Sequence, residues 1–526
     1  MADKSVRSDV TLETIVSLCK RRGIIFPGSE IYGGLQGTFD YGPIGVQLKR
    51  NVKDAWWRAM VEERFDMEGI DAALLMNPKT WEASGHVEGF VDPLCDSLGP
   101  SRKRYRADHL EESEASQYVL VDVTDEAAGP VTVPNSTFWA STKKQAKDFF
   151  KLYWEKYLNL EGKRVKVEEV PGTTCMKLFS PDDGAELTEP RQFNLMLTTH
   201  LGPAEDSSNK VYLRPETAQG IFVNWDNVKT TARRKLPFGI AQQGKSFRNE
   251  ITPRNFIFRT REFEQMEMEF FCKPAEYCAE GEKKDMEWFE YWKQERLNWY
   301  IRYGIDPAHL RFDDHLPEKL SHYSRATTDI EYLYPHGWQE LEGIAHRGNF
   351  DLTQHMKHSG KDLNYFDPHL QTHYLPYVIE PAAGCDRAIF AFLCDAYKEE
   401  EVKSTKKDES GDAKERKRVV LGLHKSLAPI KAAVLPLLQN RPELVEMARK
   451  LTSDLKKECN AVYDDTGAIG KLYRRQDEIG TPYCITVDVE SLEDQAVTVR
   501  NRDTMEQERI HITKAVDYIT AGLREG

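Results

Sequence analysis

No part of this chain has the roughly 18 successive apolar residues that a membrane-crossing helix needs. The opening stretch, MADKSVRSDVTLETIVSLCKRRG, lacks the long apolar core and cleavage pattern of a secretory signal. No CxxC pair occurs among nine scattered cysteines, an odd number, which argues against a disulfide framework and points to reduced thiols in a cytosol. No zinc is expected. Positive charge is not in excess either: 72 Lys+Arg against 85 Asp+Glu leave −13, which speaks against a protein that coats nucleic acid non-specifically. Repeats of solenoid or propeller period are missing. The Gly-rich YGGLQGTFDYGPIG (32–45) lacks the GxxxxGK[ST] order of a phosphate loop and reads as turns.

What remains is a 526-residue chain, 40% hydrophobic and 30% charged, with room for two or three domains. The clearest boundary is 398–417, KEEEVKSTKKDESGDAKERK, with one Val and no aromatic residue. Such a segment cannot bury enough surface to pack by itself, and is expected as an exposed connector or a frayed helix end. From residue 418 on, 16 Lys+Arg meet 17 Asp+Glu, so the first 417 residues hold 56 and 68 and most of the negative charge. In 418–526, VVLGL, AAVLPLL, TPYCITVDVE and QAVTVRNR have strand character. PELVEMARKLTSDLKKE places Leu444, Met447, Ala448, Leu451 and Leu455 on one helical side, and HITKAVDYITAGLRE predicts a last helix. Alternating strands and helices predict a small α/β domain. Residues 1–397 form the larger part. GVQLKRNVKDAWWRAMVEERFDM carries a helical apolar stripe, residues 278–300 have helical character, and 96–189 reads as a polar insertion.

The most informative stretch is RNEITPRNFIFRTREFEQMEME (248–269). Arg248 and Glu250, two apart, share a face if they lie on a strand. Pro253, Arg254 and Asn255 predict a turn, after which Arg261, Phe263, Gln265, Glu267 and Glu269 recur with period two. One sheet face would then carry a guanidinium, an aromatic ring and carboxylates, suited to an anion, a flat base and a cationic amine. Three further segments join it. YLRPETAQGIFVN sets Glu216 beside a proline and a hydroxyl, and WQELEGIAHRGNFD places Glu340 and Glu342 on one face of a strand. YVIEPAAGCDRAIFAFLCDAY reads as a strand ending at Glu380, a small-residue turn, and a helix with Arg387 in its first turn, where a guanidinium beside helix-terminal N–H groups suits a phosphate. Taken singly, an Arg–Glu pair on a strand is usually a cross-strand ion pair, and a lone phenylalanine is usually core.

Taken together, FRNE, REFEQ, E-P-x-x-G-x-D-R and the upstream GPxG resemble the class II aminoacyl-tRNA synthetases. RPETAQGIFVN, FRNEITPRNFIFRTREFEQMEMEFF and VIEPAAGCDR are similar to the dimeric glycyl-tRNA synthetases within that class, and the likeness extends to both sides of 398–417. The resemblance implies an α+β architecture: a catalytic domain over 1–397 with a mainly antiparallel sheet flanked by helices, and an anticodon-binding α/β domain over 418–526. It also implies activation of glycine with ATP, transfer to tRNA(Gly), a cytoplasmic homodimer formed through the helix around Trp56 and Trp57 and a following strand near Pro78, and no membrane partner.

The same resemblance assigns residues. Arg248, Arg387 and Glu250 carry the catalytic roles: Arg248 at the α-phosphate, Arg387 at the γ-phosphate end, and Glu250 accepting from the adenine amino group stacked on Phe263. ATP contacts extend over Asn249, Phe258, Arg259, Thr260, Arg261, Glu262, Glu340, Leu341, Glu380, Pro381, Ala382 and Ala383. Glycine is implied at Glu216, Glu267 and Glu380, with Arg106 for its carboxylate, and with Phe263, Glu264, Gln265, Met266, Pro376, Tyr377, Val378 and Ile379 around it. Glu340 and Glu380 would organise the Mg²⁺ that accompanies ATP, and Lys471, Tyr473, Arg474 and Arg475 would touch tRNA. One departure stands out: the family commonly has serine after the proline of the third motif, where this chain has Ala382.

Overall fold

Side-chain alternation along the strand Glu262–Cys272 sends Phe263, Gln265, Glu267 and Glu269 to one face and Met266, Met268 and Phe270 to the other. From Gln265 onward both faces are buried, the mark of a strand covered on two sides. The computed structural model describes residues 10–124, 129–203, 209–321, 324–407 and 413–524. In it this strand lies between Tyr377–Gly384 and Phe238–Phe247 in a seven-stranded sheet. The spatial order is Leu310–Asp314, Ala326–Tyr334, Gly337–Gly348, Tyr377–Gly384, Glu262–Cys272, Phe238–Phe247 and Met67–Ile70. Every neighbouring pair is antiparallel except the last, which is parallel. The expected mainly antiparallel sheet flanked by helices is therefore present.

The methionine face packs on three helices. Leu48, Val52 and Trp56 of Pro43–Trp57, Trp292 and Trp299 of Asp285–Arg302, and Ile389 and Leu393 of Cys385–Ala396 join it in one apolar cluster. A fully buried side chain of this size contributes about 1.5–3 kcal/mol, so this face supplies much of the stability. On the other face Phe222, Trp225, Phe238 and Phe271 form a second apolar cluster beyond Glu269. The GPIG turn has a packing reason: a Cβ on Gly45 would stand 1.8 Å from the Ile24 carbonyl oxygen, so only glycine permits the helix to start there.

Several expected elements end elsewhere. The strand before the long connection stops at Phe247, so Arg248 and Glu250 do not share a strand face. Residues 249–252 belong to a second compact unit, and the chain then turns at Asn255 (φ 60°) into a short 3₁₀ turn, Phe256–Phe258. The strand expected to end at Glu380 runs on to Gly384, because Ala382, Ala383 and Gly384 pair with Glu267, Met266 and Gln265. Pro78 starts a helix, Pro78–Ala83, with Asn77 as its cap; the strand following the Trp56 helix is Met67–Ile70.

The described residues of the charged segment, 398–407 and 413–417, lie on strands and not on a frayed helix end. Tyr397–Lys407 and Ala413–Leu421 pair as an antiparallel hairpin, and ions satisfy each other across it, with Lys417 on Glu399 and Arg418 on Glu400. Arg418 is buried at the base, where it donates to Asp477 at 2.8 Å and to the Arg502 carbonyl at 2.6 Å. These bonds fasten the hairpin to a five-stranded sheet in the order Ala461–Tyr463, Ala432–Pro436, Tyr483–Val487, Ala496–Asn501 and Gln507–His511. Its first three strands are parallel and the remainder antiparallel, with Leu444, Leu451, Ile485, Val497 and Ile519 in the core. The strands Ala461–Tyr463 and Gln507–His511 were not expected from the pattern.

The second unit comprises Gly85–Met196 and Asn249–Thr252, wider than the 96–189 insertion read from the sequence. It has its own core of Tyr118, Leu120, Phe138 and Trp154 around a four-stranded sheet. Among the described residues no helix is long and apolar enough to cross a membrane.

Candidate active site

The sheet face bearing Phe263 and Glu267 divides into a basic half and an acidic half. In the basic half, the Arg248 guanidinium lies 5.4 Å over the Phe263 ring, and its Nε donates to the Pro215 carbonyl at 3.1 Å. Arg387, in the first turn of Cys385–Ala396, stacks 4.5 Å over Phe258. It donates to the Phe258 and Glu340 carbonyls at 3.2 Å and pairs with the Glu340 carboxylate at 3.1 Å. Glu340 keeps 48% of its side-chain surface exposed. Its pKa is held below the ordinary value, by Arg387 first, against burial, and then by Arg248 and Arg259. Three guanidinium groups thus act on one carboxylate that opens on solvent, an arrangement suited to a polyanion that brings its own cation.

Around Phe263 the rim is tied down. Thr260 donates to the Glu262 carbonyl at 3.0 Å, Glu262 pairs with Lys245, and the Arg261 backbone N–H donates to Gly37 at 2.8 Å. Asn249 and Glu250 fall in the second unit. So does Arg106, which pairs there with Asp92 at 3.0 Å and Asp108 at 2.7 Å.

The acidic half lies farther along the strands. Register sets Gln242, Glu267, Ala382 and Gly343 in one row, and the same spacing puts Glu269 level with Glu380, itself opposite Ala345. Carboxylate oxygens of Glu267, Glu269 and Glu380 all lie within 4.8 Å of one another. Thr217 donates its hydroxyl to Glu267, and Gln219 donates to Glu216 at 3.0 Å and Asp351 at 2.9 Å. Arg347 is the cation of the group: it donates to Glu380 at 2.6 Å and grips Asp351 with two nitrogens at 2.7 and 2.9 Å. Neither oxygen of Glu269 has a hydrogen-bond partner among the described residues.

Burial, then the nearby carboxylate of Glu216, raises Glu267 to about 7. Burial also dominates at Glu380; Arg347 opposes it, Glu267, Glu216 and Asp351 add to it, and the value reaches about 8. Glu269 is pushed well above the carboxylate range by burial and by Glu380. The cluster carries more negative charge than Arg347 balances, and an added ammonium would relieve it.

Several assignments change with the register. Glu340 and Glu342 do not share a face: on the neighbouring strand consecutive residues Glu331 and Ile330 oppose them, so the strand bulges at Leu341. Leu341 is buried in the core, and Glu342 is held behind the sheet by Arg296 at 2.6 Å and Tyr300 at 2.8 Å. The contiguous runs given to ATP and glycine are thinned by alternation. Glu264, Met266, Ile379, Pro381 and Ala383 turn their side chains to the opposite face, while Phe263, Gln265, Glu267, Val378, Glu380 and Ala382 remain on the site face. Pro376 is buried, and Tyr377 lies beside His346 and under Arg325. Glu340 and Glu380 stand well apart along the sheet: Ala345, opposite Glu380, lies five positions past Glu340 with the bulge between them, and Glu380 is held by Arg347.

In the helix Ile469–Ile479, Lys471 and Arg474 are exposed, and Arg475 meets Asp464 at 3.3 Å. Tyr473 does not present an open ring: its hydroxyl bonds Thr486 and Arg500 lies 4.9 Å over it. Sequence reasoning passed over Arg347, Asp351 and Gln219 as site groups, and placed Glu269 on the site face without a role of its own. Arg347 ends the strand Gly337–Gly348 and Asp351 opens the helix Phe350–Ser359, so no periodicity of a single element joined them.

Comparison with known proteins gives consistent results. Residues 431–522 match the family described as anticodon binding domain. The glycine–tRNA ligase of Caldanaerobacter subterraneus subsp. tengcongensis is 50% identical over 516 residues, covering 98% of this chain and 99% of the relative. That of Cutibacterium acnes is 49% identical over 518 residues, covering 98% and 97%. A crystal structure of prolyl-tRNA synthetase from Cryptosporidium parvum, complexed with L-proline and AMP, matches with a TM-score of 0.56 at 11% identity. The match covers 99% of this chain and 80% of that one, and speaks to the fold alone.

Proposed function

This chain belongs to the glycine–tRNA ligase family of class II synthetases, and from that premise we propose how its cleft divides the work. The enzyme joins glycine to ATP, forming glycyl-adenylate and pyrophosphate, and passes the glycyl group to the 3′ end of tRNA(Gly). In the first step a glycine carboxylate oxygen attacks the α-phosphorus as the bond to the bridging oxygen of pyrophosphate breaks. No protein nucleophile is needed, so the protein's contribution is positioning and charge neutralisation.

Phe263 offers the face for adenine, with Arg248 above it neutralising the α-phosphate. Arg387 holds the far phosphates from the helix end. Glu340 is the carboxylate placed to help hold Mg²⁺, which supplies charge neutralisation shared with the phosphates. Glycine's ammonium enters the trio of Glu267, Glu269 and Glu380, with Glu216 alongside. Ala382 and Gly343, small and level with Glu267, bound the space for a substrate without a side chain. Any larger amino acid must displace buried sheet, so selectivity is steric. Ala382 gives this floor a methyl group where the family commonly has a hydroxyl, leaving the ammonium to the carboxylates alone.

The observation that carries this reading is the adjacency, on one sheet face, of Phe263 under a guanidinium and three carboxylates, two buried and one half-buried, within 4.8 Å. The C-terminal domain, with Lys471 and Arg474 exposed, is the surface for the tRNA anticodon stem. Homodimerisation and a cytoplasmic location belong to the same proposal. The exposure of Phe65, Ile31, Tyr32 and Leu35 supports a partner surface on the catalytic part. Trp56 itself is interior to the subunit core.

The test is amino-acid-dependent ATP–pyrophosphate exchange with a panel of amino acids. Exchange with glycine alone is expected. Exchange with proline or threonine instead, or with none, would refute the reading.

A further inference from the structure

Behind the basic half, residues far apart in sequence meet at one lysine. Lys49 projects from the helix Pro43–Trp57, and its ammonium lies 3.1 Å from Asp386 Oδ1 and 3.5 Å from Glu264 Oε2. It also stands 4.3 Å over the Tyr41 ring, whose hydroxyl donates to the same Asp386 oxygen. The other Asp386 oxygen accepts the Glu264 backbone N–H at 2.9 Å, and Lys53 approaches Glu264 at 3.2 Å. The side chains of Lys49, Glu264 and Asp386 keep only 13%, 13% and 9% of their surface, so the network is screened from water. Burial works against the ammonium, but the surrounding anions, Asp386 foremost, outweigh it and hold the lysine charged.

Its neighbours in sequence give this cluster a consequence. Glu264 follows Phe263, and Asp386 precedes Arg387. Alternation puts Glu264 on the reverse of the sheet from Phe263, so a bond to Glu264 fixes the strand without entering the cleft. Asp386 belongs to the same helical turn as Arg387. One ion therefore joins the strand that carries the ring to the helix that carries the far guanidinium. The acidic half has a separate fastening, Arg347 between Glu380 and Asp351.

We propose that Lys49 is a positioning residue for the nucleotide, fixing the spacing between Phe263 and Arg387, while Glu380 on the glycine side is held independently by Arg347. This rests on the assignment of Phe263 and Arg387 to ATP. Removing the ammonium leaves two carboxylates facing each other in a screened site, and they separate or take up a proton. Either response loosens the Phe263 end of the strand against the helix and leaves the Arg347–Glu380 and Arg347–Asp351 pairs untouched.

The experiment is glycine-dependent ATP–pyrophosphate exchange by the full chain, with thermal midpoints measured alongside. In Lys49→Met, the KM for ATP is expected to rise about tenfold while the KM for glycine stays within about twofold. Lys49→Arg, which keeps the charge, should return the ATP KM to within about threefold of wild type. Tyr41→Phe removes one bond to Asp386 and no charge, and should raise the ATP KM about twofold to threefold with glycine unaffected. Tyr41→Phe decides the matter if Lys49→Met does not fold. An unchanged ATP KM in the folded variants, or an equal rise in both KM values, overturns the role of Lys49. Absence of exchange in the wild-type chain would instead fell the functional reading itself.

Discussion

Glu340 and Glu342, two positions apart on the strand Gly337–Gly348, stand on opposite faces of the sheet because Leu341 is bulged. Glu340 meets Arg387 at the mouth of the cleft, whereas Glu342 is sealed against Arg296 and Tyr300 behind it. Two identical side chains thus acquire different surroundings, one opening on solvent and one sealed in the core.

The pair gives a contrast in mutants. Glu342→Gln leaves Arg296, fully buried, without its counter-ion, and is expected to cost about 3–5 kcal/mol of stability in chemical denaturation. Glu340→Gln should leave the denaturation midpoint within about 0.5 kcal/mol of wild type and lower pyrophosphate exchange at least about tenfold. Equal destabilisation by the two would contradict the bulge.

Arg248→Ala removes the guanidinium over Phe263. Pyrophosphate exchange is expected to fall by about 10²–10³, with an unchanged circular dichroism spectrum. Near-normal exchange would take the α-phosphate away from Arg248.

Glycine binding should depend on pH with a definite sign. Glu267 and Glu380 are raised to about 7 and 8 in the folded chain, so the empty site keeps protons that the unfolded chain has released. Their contribution to stability is full below the ordinary carboxylate pKa and is lost as pH rises through about 7 to 8. Glycine's ammonium prefers the ionised carboxylates, so its stabilising effect grows over the same window. The glycine-induced thermal shift is expected to be larger at about pH 8.5 than at about pH 6.5. The glycine KM should fall with rising pH by up to about tenfold per unit for each proton displaced. A flat profile would show that the cluster binds glycine without losing a proton.

Gly45→Ala sets a methyl group 1.8 Å from the Ile24 carbonyl oxygen. Backbone must move, and a loss of about 1–3 kcal/mol is expected by denaturant titration. Val46→Ala, one residue on and exposed, is the control and should be nearly neutral.

Local chain geometry made much of this legible beforehand. Period-two spacing was enough to put Phe263, Gln265, Glu267 and Glu269 on one face, since alternation along a strand is covalent. Helical spacing likewise picked out Leu444, Ala448, Leu451 and Leu455, and the motif wording was enough to indicate the family. What depended on a partner strand was not legible. Pairing carried the Tyr377 strand through Ala382 and Ala383 to Gly384, and an extra residue opposite Ile330 and Glu331 separated Glu340 from Glu342. Strand pairing also took up charged residues that the pattern had left outside any element, with Glu399 meeting Lys417 and Glu400 meeting Arg418 across the two strands. The carboxylates around Glu267 come from two strands, a loop and one helix, and they meet Arg347, whose partners are fixed only when the sheet closes. Within an unbroken strand or helix, sequence alone determined which side chains share a face; tertiary structure decided where strands end or bulge and which faces meet, because register and burial belong to pairs of segments and not to any one of them.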